Sequence, residues 1–350
     1  MPSKYKVLLV GSGALGVVAA YTLEYNGFAE VTVVVRSGYK KASTEGYKID
    51  SIQFGKIESW KPSRVVPNVE EAIANGEVYD YIFTSVKNLP DSPTPCEQIL
   101  EPVLKANTKA TVILCQNGLD IEKPFLEKFP GHVILSCVSL IGCTNIDCVV
   151  NQMTPDNVQI GVFENPTIKD KEEAERKLDE FISIYKMENG KNVVKKDVNP
   201  RLTRWQKLVY NAAINTSTAL TDLDCSRAAM AGCKESIWRP IMREIYAIAK
   251  SDGYILPPDL EENMLRISDG LFYTPSMLVD VRLNRMVEVE VIVGNPLRIA
   301  QRNGVDAPHL SMTYHLLKMV QFRIMEKQKI ITVDDSVREF KNPDAQDNVL

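Results

Sequence analysis

The stretch from Val7 to Leu23, "VLLVGSGALGVVAAYTL", decides the fold. Its apolar opening reads as a buried strand and its second half as a helix. Between the two, Gly11, Gly13 and Gly16 stand in G-x-G-x-x-G register. Each glycine has a physical task. Gly11 lets the chain turn, Gly13 leaves room for a pyrophosphate to meet backbone N–H groups at the helix terminus, and Gly16 lets helix and sheet approach closely. A glycine cluster alone is common in loops. Its place between a strand and a helix makes Gly11, Ser12, Gly13, Ala14, Leu15 and Gly16 a dinucleotide-binding turn.

Working outward, short β-rich runs alternate with helical stretches as far as residue 198: "VTVVV", "YDYIFTSV", "ATVILC", "HVILSCVSL", "NVQIGVF", the charged helix "KDKEEAERKLDEFISIY" and "NVVKKD". Strands separated by helices imply parallel pairing with crossovers, hence an open α/β sheet of Rossmann type over residues 1–198. After Asn199-Pro200 the texture changes to 3.6-residue periodicity, with helices expected over 202–221, 234–252, 258–270, 276–303 with interruptions, and 309–327. Residues 199–333 therefore read as an all-α domain, followed by a polar tail over 334–350.

A chain of 350 residues accommodates two such domains. With 25% charged residues and a net charge of −4, its overall field repels nucleic acid. Seven cysteines include no C-x-x-C pair and several lie in apolar runs, which points to buried thiols, a reducing cytoplasmic setting and no metal site. The start "MPSKYK" before an apolar run imitates a secretory signal, but a strand, a glycine turn and a helix give the same composition. No segment reaches the roughly 18 apolar residues of a membrane span.

An acidic residue about 20 positions past the glycines would hold a ribose 2′-hydroxyl. Here that place is taken by Arg36, followed by Ser37, Lys40 and Lys41. A guanidinium suits a 2′-phosphate, so NADP(H) is the expected cofactor; the alternative is a solvated basic loop. Two more strand ends face the same crevice in such sheets, placing Lys87 near ribose or phosphate and Asn117 near the nicotinamide. Taken singly, each also reads as an ordinary loop residue.

Reduction of a carbonyl by hydride needs a proton on oxygen. The histidines, His132, His309 and His315, have no convincing carboxylate beside them in sequence, and no hydrolase signature appears. Lys207, Asn211 and Asn215, in "RWQKLVYNAAINTSTAL", are four residues apart and fall on one stripe of a helix. That stripe is either a wet face or the wall of a cavity in which burial lowers the lysine pKa. A carboxylate to orient the lysine is available at Glu288 or Glu290, which diverge on a helix, so only one serves.

Together, "GSGALG" at 11–16, Arg36, "SVK" ending at Lys87, "QNG" with Asn117, "KLVYNAAIN" and "SMLVDVRLNRMVEVE" resemble the ketopantoate reductase (2-dehydropantoate 2-reductase) family over roughly residues 5–325. The resemblance implies a Rossmann domain that binds NADPH and a helical domain of the 6-phosphogluconate dehydrogenase-like kind. It implies Lys207 as general acid, Asn211, Asn215 and Ser276 as substrate-binding residues, Glu288 as the acid at the edge of cofactor and substrate, and Gly142 as a backbone contact to the nicotinamide. The implied partner is a small 2-oxo acid, with no nucleic acid or membrane, and a homodimer is the assembly it admits. The family often has an asparagine in a "PNG"-like turn where this chain has "DLDCSR", and an Asn with a run of serines where it has "LFYTPSM". A thiol at Cys225 does not replace an amide, so the expected reaction, 2-oxo acid to 2-hydroxy acid, has ketopantoate as its first candidate and another branched or aromatic 2-oxo acid as its second. A non-catalytic NADP(H) sensor is the expectation from a different class.

Overall fold

The computed structural model describes residues 4–188, 190–334 and 336, so the expected tail lies, apart from Asp334 and Ser336, outside the described residues. Two compact units form: Met1–Asn88 with Thr94–Thr203, and Leu89–Pro93 with Arg204–Leu350.

Among the described residues the first unit carries twelve strands: β1 (Tyr5–Val10), β2 (Ala29–Val34), β3 (Tyr47–Ser51), β4 (Gly55–Trp60), β5 (Arg64–Val66), β6 (Tyr81–Thr84), β7 (Thr111–Leu114), β8 (Ile134–Ser139), β9 (Cys143–Ile146), β10 (Val149–Gln152), β11 (Asn157–Val162) and β12 (Val193–Lys196). Eight of them make one sheet in the order β12-β11-β8-β7-β6-β1-β2-β5. Val7 pairs with Val31 and Tyr81, and Leu9 with Val33 and Phe83, all buried. Such continuous apolar strands belong at the centre of a sheet covered on both faces. The expected parallel pairing holds from β8 to β5, but β11 runs antiparallel to β8. Between them the chain makes a hairpin instead of a helical crossover, and only a crossover returns a strand in parallel.

That hairpin, β9–β10, joins β3 and β4 in a second, four-stranded sheet that the sequence reading lacked. Its turn has Asp147 at φ 50 and Cys148 at φ 64, the two left-handed residues of a tight hairpin. Helix α1 (Ala14–Tyr25) packs against β1 and β2 on one side and β9 and β10 on another. Covered twice, it buries an unbroken run from Gly16 to Ala20 and has no polar face there.

The second unit is helical. Trp205 and Trp238 are among its largest fully buried side chains, and each satisfies its indole N–H, on Asp252 Oδ2 at 3.0 Å and Ser217 Oγ at 2.7 Å. The expected helix over 202–221 is one α-helical run (Pro200–Tyr210), a π-helical turn (Asn211–Asn215) and a further α-helix (Thr216–Thr221). Two more π turns occur among the described residues: Lys234–Trp238 opens the helix expected over 234–252, and Glu290–Gly294 lies within 276–303, where interruptions were expected. The buried "TST" run stays satisfied locally: Thr216, Ser217 and Thr218 donate to the carbonyls of Ala212, Ala213 and Ile214 at 2.6, 2.7 and 2.8 Å. Among the described residues no helix is long and apolar enough to cross a membrane. Six of the seven cysteines are buried and Cys143 is half-buried.

Candidate active site

The glycine turn lies between β1 and α1. Gly11 has φ 115, and a Cβ there would stand 2.7 Å from the Val86 nitrogen, so both torsion and space require glycine. At Gly16 a Cβ would meet the Gly11 carbonyl oxygen at 2.0 Å, which forces the close approach expected of it. Gly13 is the N-cap of α1, with φ −65 and no side-chain cap, and a Cβ there would meet nothing within 4 Å. An open helix N-terminus flanked by two sterically obligatory glycines fits a dinucleotide pyrophosphate. Ser85 Oγ donates to the Gly11 carbonyl at 2.9 Å and ties the turn to the end of β6.

Arg36 is exposed just beyond β2, and Lys40 is exposed with it, whereas Lys41 is paired to Asp147. Lys87 and Asn117 are half-buried in the segments after β6 and β7. Gln116, which the sequence reading passed over, bridges those segments: its Nε2 donates to the Val86 carbonyl at 2.6 Å and its Oε1 accepts from Asn88 Nδ2 at 3.4 Å. A lone buried glutamine beside Asn-Gly carries no sequence signal of its own. Three residues past Asn117, Asp120 accepts from Arg201 and Lys123, whose charges overcome its burial and hold its carboxyl below the ordinary range. The Gly142 N–H donates to Thr154 Oγ1 at 2.6 Å, and its carbonyl accepts from the Met153 N–H at 2.7 Å.

In the second unit, Lys207 is half-buried on the last turn of its helix, while Asn211 and Asn215 are buried at 5% and 3% exposure. The two amides are therefore not a wet face. Successive four-residue steps on an α-helix drift by about 40°. The π turn, bonded i→i+5, winds less per residue and reverses that drift, which brings Asn215 Nδ2 to Asn211 Oδ1 at 2.9 Å. Among the described residues, Asn215 Oδ1 is buried with no hydrogen-bond partner.

Ser276 is exposed at the start of Ser276–Arg282, a helix that packs on the Asn211–Asn215 turn, and the Glu290–Gly294 turn packs there too. Of the two carboxylates, Glu290 is committed: it accepts from Arg298 at 3.0 Å, Tyr314 at 2.9 Å and Lys318 at 3.0 Å. Burial alone would raise its pKa, but these partners hold it below the ordinary value. Glu288 is half-buried two residues earlier. Lys318 also reaches Asp91 at 3.1 Å. Cys225 is buried with its thiol 3.6 Å from the Tyr210 hydroxyl, and burial pushes its pKa up, which disfavours the thiolate.

The fold defines an oxidoreductase with a Rossmann-type first unit and a helical second unit. The chain belongs to the ketopantoate reductase family: the models described as "Ketopantoate reductase PanE/ApbA" and "Ketopantoate reductase PanE/ApbA C terminal" match residues 7–165 and 199–321. An uncharacterized protein of Saccharomyces cerevisiae is 36% identical over 94% of this chain and 97% of its own length. The 2-dehydropantoate 2-reductase of Nostoc sp. is 26% identical over 94% of this chain and 98% of its own. Among solved structures, 2-dehydropantoate 2-reductase from Methylococcus capsulatus is 26% identical, with a TM-score of 0.71 over 91% of this chain and 97% of its own. D-mandelate dehydrogenase with NADH and anilino(oxo)acetate shares the fold at a TM-score of 0.73 and 18% identity, over 91% of this chain and 99% of its own.

Proposed function

We propose that the protein reduces a 2-oxo acid to the 2-hydroxy acid with NADPH, and that ketopantoate, reduced to pantoate, is the first substrate to try. The observation that carries the reading is the buried Asn211–Asn215 amide pair beginning one turn after Lys207, in a chain of this family. Gly11 to Gly16 would hold the pyrophosphate, Arg36 the 2′-phosphate, and Lys87, Asn117 and Gly142 the nicotinamide half. When bound, the cofactor supplies a hydride. Lys207 gives a proton to the carbonyl oxygen as negative charge develops there. The Asn211 and Asn215 amides and the Ser276 hydroxyl orient the acid, which spares the reaction the entropy of alignment. Glu288 keeps the ammonium of Lys207 oriented.

Arg36 favours NADPH over NADH because its guanidinium pairs with a phosphate dianion and has no equivalent partner on a plain ribose. The test is NADPH oxidation against a panel of 2-oxo acids. Turnover of ketopantoate supports the first choice, and activity confined to a different acid rejects it while keeping the chemistry.

A second reading, reduction of an aromatic or differently branched 2-oxo acid, draws on the Tyr210–Cys225 contact, which puts an aromatic hydroxyl and a thiol in the region where the family often has an amide. D-mandelate dehydrogenase, with the same fold, is described with an aromatic oxo acid analogue.

A further inference from the structure

The β9–β10 hairpin had no part in the sequence reading of the nucleotide turn, yet it touches that turn. Asn145, on β9, donates from Nδ2 to the Ser12 carbonyl oxygen at 2.9 Å. The amide cannot be the other way round, since two oxygens would then face each other. Its Oδ1 is buried without a hydrogen-bond partner among the described residues, so the side chain is held by the Ser12 bond and by packing. At the tip, Asp147 accepts from Lys41, and a Cβ on Gly38 would stand 3.8 Å from Cys148 Sγ. The hairpin therefore reaches both the glycine turn and the loop that follows Arg36.

The bond to Ser12 has a directional consequence. In a planar trans peptide the C=O and the next N–H point in opposite directions, and no peptide bond among the described residues is cis. Fixing the Ser12 carbonyl toward Asn145 turns the Gly13 N–H the opposite way. The Ser12–Gly13 peptide plane rotates about ψ of Ser12 and φ of Gly13, and at the second of these a glycine offers little torsional resistance. At Gly13 itself a Cβ would meet nothing within 4 Å.

We propose that Asn145 is a positioning residue of the nucleotide site, which aims the Gly13 N–H at the pyrophosphate by holding the Ser12 carbonyl. This rests on the dinucleotide reading of the glycine turn. The probes are NADPH and adenosine 2′-monophosphate, the second of which carries the 2′-phosphate and no pyrophosphate. Both are titrated into the wild-type chain, Asn145→Ala and the near-isosteric Asn145→Asp, which lacks the donor. Loss of one aligned, charge-assisted N–H bond corresponds to a rise in NADPH Kd of about tenfold. The adenosine 2′-monophosphate Kd should stay within about twofold, and kcat at saturating NADPH should be unchanged. An unaltered NADPH Kd in both variants overturns the proposal, as does an equal weakening of both probes, which would mean general loosening of the unit. If Asn145→Asp does not fold, Asn145→Ala decides. A wild-type chain that binds neither probe removes the dinucleotide reading itself, a separate result from the variants behaving alike.

Discussion

Asn215 donates its amide N–H to Asn211 Oδ1 across a π turn, and its own Oδ1 remains buried without a hydrogen-bond partner. A fold gains nothing from an unsatisfied buried acceptor, which costs about 1–3 kcal/mol. In the proposed site, a donor on the bound substrate, such as the ketopantoate hydroxyl, would satisfy it. Asn215→Ala should therefore leave the thermal midpoint nearly unchanged while raising KM for the 2-oxo acid at least about tenfold, read from melting curves and steady-state kinetics. A lower midpoint with unchanged KM would make the amide pair a structural device.

Gly16 and Gly13 should separate under substitution. Gly16→Ala drives a methyl into the Gly11 carbonyl and should cost about 3 kcal/mol or more of stability in urea unfolding. Gly13→Ala meets no protein atom within 4 Å at an ordinary φ, so the protein should fold as the wild type does. The added methyl would occupy the space proposed for the pyrophosphate, and NADPH affinity should fall about fiftyfold or more by titration.

Arg36→Ala should raise the NADPH Kd about thirtyfold and leave the NADH Kd within about twofold, because a charge-assisted pair to phosphate is lost only for the first. Equal effects on both cofactors would place Arg36 outside phosphate recognition.

Asp156 sets a pH dependence of folding. It is buried at 2% exposure, and burial pushes its carboxyl up to about 6 despite the hydrogen bond from Tyr185. The folded value lies above the ordinary aspartate value of about 3.9, so between roughly pH 4 and 6 the folded state holds the proton and the unfolded state does not. The contribution of Asp156 to stability accordingly falls as pH rises through that window and stays low above it. Asp156→Asn should abolish this slope and be more stable at pH 7 by on the order of 2 kcal/mol, measured as the difference between wild-type and variant unfolding curves.

Much of this was legible in the sequence because local patterns fixed it. Gly11 and Gly16 sit where sterics demand glycine, with Gly13 open between them, the buried strands read as apolar runs, and the change of period after Pro200 marked the helices. The small second sheet was not legible: β4 is exposed along much of its length, and β9 and β10 are short, so none stands out as a strand. The π turns were equally hidden, since no propensity distinguishes "NAAIN" from an α-helical turn, and only the surrounding packing selects the wider winding. Glu288 and Glu290 looked equivalent in sequence. The choice of Glu290 for the ion-paired network depends on Arg298, Tyr314 and Lys318, of which the last two lie on the helix Pro308–Lys327.

Proton delivery by Lys207 is decided by Lys207→Ala, through kcat with NADPH and the preferred 2-oxo acid, alongside NADPH binding. The variant should lose about 10²–10⁴-fold in kcat, the usual contribution of a positioned acid, with its NADPH Kd within about threefold of wild type. Unchanged turnover in a variant that binds NADPH normally would contradict it.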